Sequence, residues 1–261
     1  MTPPAQRLDE AVASRAGVTR SRARSLIIAG RVRVDGRPMT KPGTTVAATA
    51  ALEVERPRPY VSRGGEKLEG ALDDFALDVR GTRALDVGAS TGGFTDCLLA
   101  RGAAHVTALD VGYGQLAYEL RTDSRVTLIE RTNFRTLPDD AFAQPFDAIV
   151  ADASFISIVT ILGRAKAYLA PGGSIVALVK PQFEAGRERL GGGGVVRDDG
   201  DRTAILRETR DALVGIGLIP VAATQSKLRG PAGNIEAFFL VRTTGVPVSD
   251  GELERAAVDR R

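Results

Sequence analysis

The chain has 261 residues, 43% hydrophobic and 26% charged, which is enough for one large α/β domain with a small companion. Its longest apolar runs, AIVA (148–151) and IVALV (175–179), fall far short of the roughly 18 residues that span a bilayer, which excludes a membrane helix. One cysteine, Cys97, excludes an internal disulfide, and one histidine, His105, excludes a zinc cluster of the Cys/His type, so no metal is expected.

The first residues, MTPPAQRLDEAV, carry charge where a signal peptide needs an apolar stretch, and a cytoplasmic protein is expected. Charge is uneven along the chain. Residues 1–65 hold 12 Lys+Arg against 5 Asp+Glu, while the remainder is mildly acidic, so the first segment is suited to a polyanion such as a phosphate backbone. Only five of the 35 basic residues are lysines: Lys41, Lys67, Lys166, Lys180 and Lys227. In so arginine-rich a chain, a retained lysine points to chemistry that needs an ammonium able to lose its proton.

In chain order, Leu8, Val12 and Ala16 mark one face of a short helix. SRARSLIIAG follows, with Ser21 as the expected cap of a second helix, Ala23, Ile27 and Ile28 on its apolar side, and Gly30 at its end. In RVRVDGRPM, Val32 and Val34 alternate with Arg31 and Arg33 before an Asp35-Gly36 turn, which directs the valines inward and the arginines outward. This order of RLD, SR, AxxLIxxGxVxVDG and KPG resembles the S4 RNA-binding domain over residues 7 to about 56. The resemblance implies RNA phosphates against Arg20, Arg22, Arg24, Arg31 and Arg33. Pro57 and Pro59 break regular structure, giving boundaries of 1–56 for the small domain, 57–66 for a linker and 67–261 for the large domain.

The large domain alternates strand and helix patterns, which implies a parallel sheet covered on both faces. The strands are RALDVG (83–88), VTALDV (106–111), VTLIE (126–130), FDAIVAD (146–152) and SIVALVK (174–180). At the end, LIPVAATQS (218–226) and IEAFFLVR (235–242) are close enough for an antiparallel connection. The pattern is that of a Rossmann-like class I methyltransferase, with seven mostly parallel strands and the last reversed.

LDVGASTGGF (85–94) follows the first strand and opens a helix, which lets backbone approach a ligand closely. It lacks the G-x-G-x-x-G spacing of a dinucleotide site and the Gly-Lys-Ser/Thr ending of a P-loop. It resembles motif I of S-adenosylmethionine-dependent methyltransferases, which implies cofactor contacts at Asp86, Gly88, Ser90, Gly92, Gly93 and Phe94. Asp110, ending the second strand, is suited to a ribose diol, and Asn133 and Phe134 stand where such enzymes frame adenine.

Asp152 and Lys180 end strands, Glu236 begins the reversed one, and Lys67 can fold over the same rim from the linker side. The set resembles the Lys-Asp-Lys-Glu tetrad of FtsJ-like RNA ribose 2'-O-methyltransferases. With VSRGGEKL, DVGYGQLAYELR, ADASFIS, VKPQFE, GGVVRD and GPAGNIEAFF, it resembles the TlyA family from about residue 7 to 242. That implies methylation of cytidine ribose in ribosomal RNA, with ribosomal subunits as partners and no membrane partner. Lys180 is the expected base, with Asp152 and Glu236 orienting amine and hydroxyl; the alternative is that it stabilises a developing alkoxide electrostatically. Two other readings compete: a catalytically inactive ribosome assembly factor, and a membrane-active protein in line with the haemolysin label some TlyA proteins carry. GGGG (191–194) is expected to be a mobile loop near the site, and residues 248–261 a short terminal helix.

Overall fold

A computed structural model describes residues 5–54 and 59–259. The chain divides into two compact units, Met1–Arg58 and Pro59–Arg261. Among the described residues no helix is long and apolar enough to cross a membrane.

In the first unit, α1 (Leu8–Ala16) and α2 (Arg20–Ile28) bury Leu8, Ala11, Val12, Ala23, Leu26 and Ile27 together. Ile28 faces solvent, because Leu26 takes the inward position expected of it. Thr19, not Ser21, caps α2: its hydroxyl accepts the Arg22 N–H at 3.3 Å, and Ser21 already lies in the first turn. β1 (Ala5–Arg7) pairs antiparallel with β4 (Thr45–Ala47), while β2 (Val32–Val34) lies between β3 (Arg37–Pro38) and β5 (Leu52–Val54). The β2–β3 turn at Asp35-Gly36 has φ of 49° and 76°, the paired left-handed conformation that two-residue hairpins favour.

The second unit opens with α3 (Arg63–Asp74), capped by Ser62. The expected linker therefore divides: residues 57–58 lie outside the described residues, whereas 59–66 belong to the second unit. Tyr60 is buried in the core, and Arg63, Gly64, Gly65 and Glu66 form the first turn of α3. Pro57 lies outside the described residues, Pro59 lies in an irregular segment, and the helix starts at Arg63, four residues ahead of the expected domain boundary.

Seven strands follow: β6 (Arg83–Val87), β7 (His105–Leu109), β8 (Val126–Ile129), β9 (Phe146–Ala151), β10 (Leu169–Val179), β11 (Ile219–Gln225) and β12 (Ala237–Arg242). Their order across the sheet is β11-β12-β10-β9-β6-β7-β8, all parallel except β12, which runs against both its neighbours. Alternation assigns the two faces. Leu85, Val87, Phe239 and Val241 face α6 (Ile158–Ala165), α8 (Asp199–Gly215) and α9 (Asp250–Ala257), while Ala84, Phe238 and Leu240 face α3 and α4 (Gly93–Ala100). The terminal helix expected after residue 248 is α9, closed by a capping box between Ser249 and Glu252. Two single turns, α5 (Tyr118–Arg121) and α7 (Pro181–Glu184), complete the rim of the sheet.

Candidate active site at the carboxyl edge of the sheet

The topology brings the four charged residues to one edge. Asp152 directly follows β9, Lys180 follows β10, and Glu236 precedes β12. Val179 pairs with Ala237, so one step further along the ladder Lys180 comes beside Glu236. Two ion pairs result. Lys180 Nζ lies 2.5 Å from Asp152 Oδ1 and donates to Ser154 Oγ at 2.9 Å. Lys67 Nζ, reaching over from α3, lies 2.5 Å from Glu236 Oε2. Gln182, on the turn that begins after Lys180, donates to the other Glu236 oxygen at 3.5 Å.

Asp152 also borders a cleft of about 590 Å³ lined by Gly88, Ser90, Asp110, Asn133 and Phe134. Asp110 accepts the Ser90 N–H at 2.8 Å and the Gly112 N–H at 2.6 Å, which fixes its carboxylate after β7. Gly88 has φ of +86°, and a Cβ there would stand 2.5 Å from the Asp152 carbonyl, so only glycine lets the first loop approach the second this closely. Asn133 caps a short 3-10 turn at Phe134–Thr136, and Phe134 is buried against Tyr168.

Behind this cleft lies Asp86, fully buried. One carboxyl oxygen accepts from Thr95 Oγ1 at 2.7 Å and the other has no hydrogen-bond partner. Burial pushes its pKa up to about 7, against the Thr95 hydrogen bond and with help from the charges of Asp152 and Asp110. A buried acid lacking a counterion, next to a cleft with a ribose-type carboxylate, fits a ligand that brings positive charge and a nucleoside together.

Four expected cofactor residues do not line the cleft: Asp86, and Gly92, Gly93 and Phe94. Gly92, at φ of +98°, closes against Leu116 and Leu120, and a Cβ on Gly93 would strike Ser62 and meet the Gly65 nitrogen at 2.8 Å. These two glycines serve the close approach of α4 to its neighbours. Phe94 is buried, with its ring 6.0 Å from that of Phe238. The spacing of small residues read as a ligand cradle is in part a packing seam. Sequence reasoning missed Gln115, whose side-chain oxygen is 3.4 Å from Ser90 Oγ, as well as Ser154 and Phe155. ADASFIS contained the last two and DVGYGQLAYELR contained Gln115, but neither string singled these residues out.

The glycine-rich loop expected to be mobile is fastened beside Glu236. Asn234 accepts the Val196 N–H and donates to the Gly194 carbonyl, both at 3.1 Å, and the buried Arg202 donates to the carbonyls of Val196 and Arg197.

In the first unit, Arg22, Arg24 and Arg31 have no side-chain partner among the described residues, and Arg22 and Arg24 are exposed on a helix without acidic residues. Arg33 is exposed and donates only to the Gly36 carbonyl. Arg20 differs: it pairs with Asp9 at 3.2 Å and Glu10 at 3.0 Å, so an arginine expected on the RNA face is engaged within the fold. Hydrogen bonding from Arg7, aided by Arg20, holds the Asp9 carboxyl down to about 2.

Residues 60–243 match the FtsJ-like methyltransferase family, and residues 6–50 match the S4 domain. The chain belongs to the FtsJ-like methyltransferase family. A Mycobacterium tuberculosis protein named 16S/23S rRNA (cytidine-2'-O)-methyltransferase TlyA is 50% identical over 88% of this chain and 87% of its own. Hemolysin A of Brachyspira hyodysenteriae is 44% identical, covering 90% of this chain and 100% of that one. A solved structure from Streptococcus thermophilus, provisionally labelled a hemolysin, is 37% identical, with a TM-score of 0.73 over 98% of this chain and 96% of that one. The cofactor of this FtsJ-like domain is S-adenosylmethionine, and the residues present fit it. Asp110, Asn133 and Phe134 line the cleft, whereas Asp86 is buried outside its lining.

Proposed function

We propose that the protein methylates the ribose 2'-hydroxyl of cytidine in ribosomal RNA. The observation that carries this reading is the Lys180–Asp152 pair at the wall of the cofactor cleft, with Lys67–Glu236 beside it. The relative named as a 16S/23S rRNA enzyme, and an S4 domain bearing unpartnered arginines, support RNA as the substrate.

Bound in the cleft, S-adenosylmethionine supplies an electrophilic methyl group on a sulfonium leaving group. The protein's task is to align the hydroxyl with that group and take its proton. Lys180 Nζ, after giving up its own proton to solvent, receives the hydroxyl proton, and Asp152, 2.5 Å away, neutralises the ammonium that forms again. Ser154 fixes the direction of the amine, and Glu236, anchored by Lys67, orients the hydroxyl. The contact with Asp152 also favours a second reading, in which Lys180 stays an ammonium and stabilises the developing alkoxide.

The test is incubation of radiolabelled S-adenosylmethionine with small subunits, large subunits and naked ribosomal RNA, followed by alkaline hydrolysis. A 2'-O-methyl group leaves the adjoining phosphodiester uncut, so label in alkali-resistant dinucleotides is the expected result. Cofactor binding without transfer would instead identify an assembly factor, and leakage of pure lipid vesicles a membrane-active protein. Lys180→Arg separates the two readings of the lysine. It is expected to lower turnover at least a hundredfold, because a guanidinium keeps the charge but does not accept the proton.

A further inference from the structure

Lys180 is followed at once by a proline, and Pro181 at the start of α7 turns the chain sharply off the end of β10. The turn lasts four residues, closed by the Ala185 N–H on the Pro181 carbonyl at 2.8 Å. Its last residue, Glu184, points back beneath the active site. One carboxyl oxygen accepts from Ser157 Oγ at 2.6 Å and the other from the Ile158 N–H at 2.7 Å. Those donors are the cap and first residue of α6, so a carboxylate from a neighbouring segment completes that helix N-terminus. Glu184 is largely buried, and burial raises its pKa above the usual carboxylate range, against the two hydrogen bonds.

Between β9 and α6 run residues 152–157, the segment that carries Asp152 and also lines the cofactor cleft with Ala153, Ser154, Phe155 and Ile156. Residues of one short turn grip this segment at both ends and in the middle. Lys180 holds Asp152 and Ser154, the Phe183 ring lies 5.0 Å from that of Phe155, and Glu184 holds Ser157 and Ile158. Phe155 needs such support: its φ is +64°, a conformation unfavourable for a bulky residue, and it is 90% exposed, with little burial to offset that.

We infer that Glu184 is a positioning residue for the proposed methyl transfer, locking the Asp152–Ser157 segment so that Asp152 meets Lys180 and the cleft wall keeps its shape. It touches neither the reacting atoms nor the cofactor cleft; it acts through Ser157 and Ile158. The inference rests on the methyltransfer reading of the same site.

Three variants of the full chain test it: Glu184→Ala, Glu184→Gln and Ser157→Ala. Each is assayed for turnover on ribosomal RNA at saturating substrates, for S-adenosylhomocysteine affinity by calorimetry, and for Tm. Glu184→Ala is expected to lower turnover per folded molecule at least tenfold and to weaken S-adenosylhomocysteine binding severalfold. Glu184→Gln keeps an acceptor for the Ile158 N–H and an amide that Ser157 can accept from, so it is expected to stay within threefold of the parent. Ser157→Ala removes one of the two links and is expected to fall between them. Turnover and affinity within twofold of the parent in all three variants, whatever their Tm, would overturn the inference, since a merely stabilising cap leaves the folded site intact. Equal losses in the alanine and glutamine variants would also overturn it. A parent protein that binds S-adenosylhomocysteine but methylates no RNA overturns the methyltransfer reading instead, and the affinity series still tests whether Glu184 shapes the cleft.

Discussion

The two ion pairs, one lysine–glutamate and one lysine–aspartate, have the same 2.5 Å separation, yet they stand in different surroundings. The Lys67 and Glu236 side chains are 9% and 1% exposed, whereas Asp152 of the other pair is 27% exposed and borders the cleft. Glu236 is closed in by its own loop: a Cβ on Gly230 would stand 2.5 Å from its Oε1. Lys180 has a hydroxyl partner as well as a carboxylate and is nearly as buried as Lys67, so the pairs differ at their carboxylates, of which only Asp152 borders the cleft. A buried pair of fixed geometry is suited to framework and orientation, and a pair open to the cleft is suited to exchanging a proton. The site thus divides a symmetric set of four charges into a rigid half and a working half.

Breaking each pair with the same substitution gives the largest effect and tests that division directly. Lys67→Met leaves the Glu236 carboxylate buried without its ammonium, a situation that costs roughly 3–5 kcal/mol. For a domain of this size that lowers Tm by on the order of 10 °C. Lys180→Met leaves Asp152 free to take up water and is expected to lower Tm by less than half as much, while abolishing methyl transfer. Thermal unfolding of both variants measures this. Equal losses would mean that the two pairs are equivalent and that the division fails.

Asp86 shows what the same edge does with an acid that has no ammonium at all. Burial lifts its pKa to about 7 from the ordinary 3.8, so the folded state holds this proton more tightly than the unfolded chain does. The corresponding stability is fully present below the unfolded value and is lost as pH rises from there through 7, with an upper bound of roughly 4 kcal/mol. Asp86→Asn keeps an acceptor for Thr95 and cannot ionise. Its Tm is expected to match the parent only below about pH 4 and to exceed it by a growing margin as pH rises from there through 7, while S-adenosylmethionine affinity falls at the higher pH. A Tm difference between the two that stays constant from pH 5 to 8.5 would show that Asp86 is not titrating in this window.

Much of this site was legible in the sequence because it sits at strand ends. Period-two apolar runs locate strands, strand ends locate the ligand edge of a parallel sheet, and Asp110, Asp152, Lys180 and Glu236 follow from that alone. What failed to show was where a side chain goes once off a regular element. Gly92 and Gly93 carry the same local signal as Gly88, but whether the space beside a glycine is filled by a ligand or by Ser62, Leu116 and Leu120 depends on segments tens of residues away. Phe94 looked like part of a ligand turn and is core, while Gln115, given no role in the sequence, faces Ser90. Arg20 was grouped with the free arginines for the same reason: its partners, Asp9 and Glu10, lie on the preceding helix, and a linear count of basic residues does not register them.

The contrast between engaged and free charge extends to the first unit, where the smallest effect is expected. Each of Arg22, Arg24 and Arg31 offers a guanidinium with no partner among the described residues, so replacing any one with alanine removes about one phosphate contact. The affinity for ribosomal RNA is then expected to weaken about threefold to tenfold near physiological salt. The slope of log affinity against log salt would become shallower by about one, with Tm unchanged. Arg20→Ala should behave in the opposite way. It takes a partner from Asp9, whose carboxyl is buried and ionised, so it is expected to lower the stability of the S4 unit while leaving the salt slope nearly as it was. Filter binding at several salt concentrations, alongside thermal unfolding of the same four variants, separates the two classes. If Arg20→Ala flattened the salt dependence as much as Arg24→Ala, its ion pairs with Asp9 and Glu10 would have to open on RNA, and the helix would present three contacts in place of two.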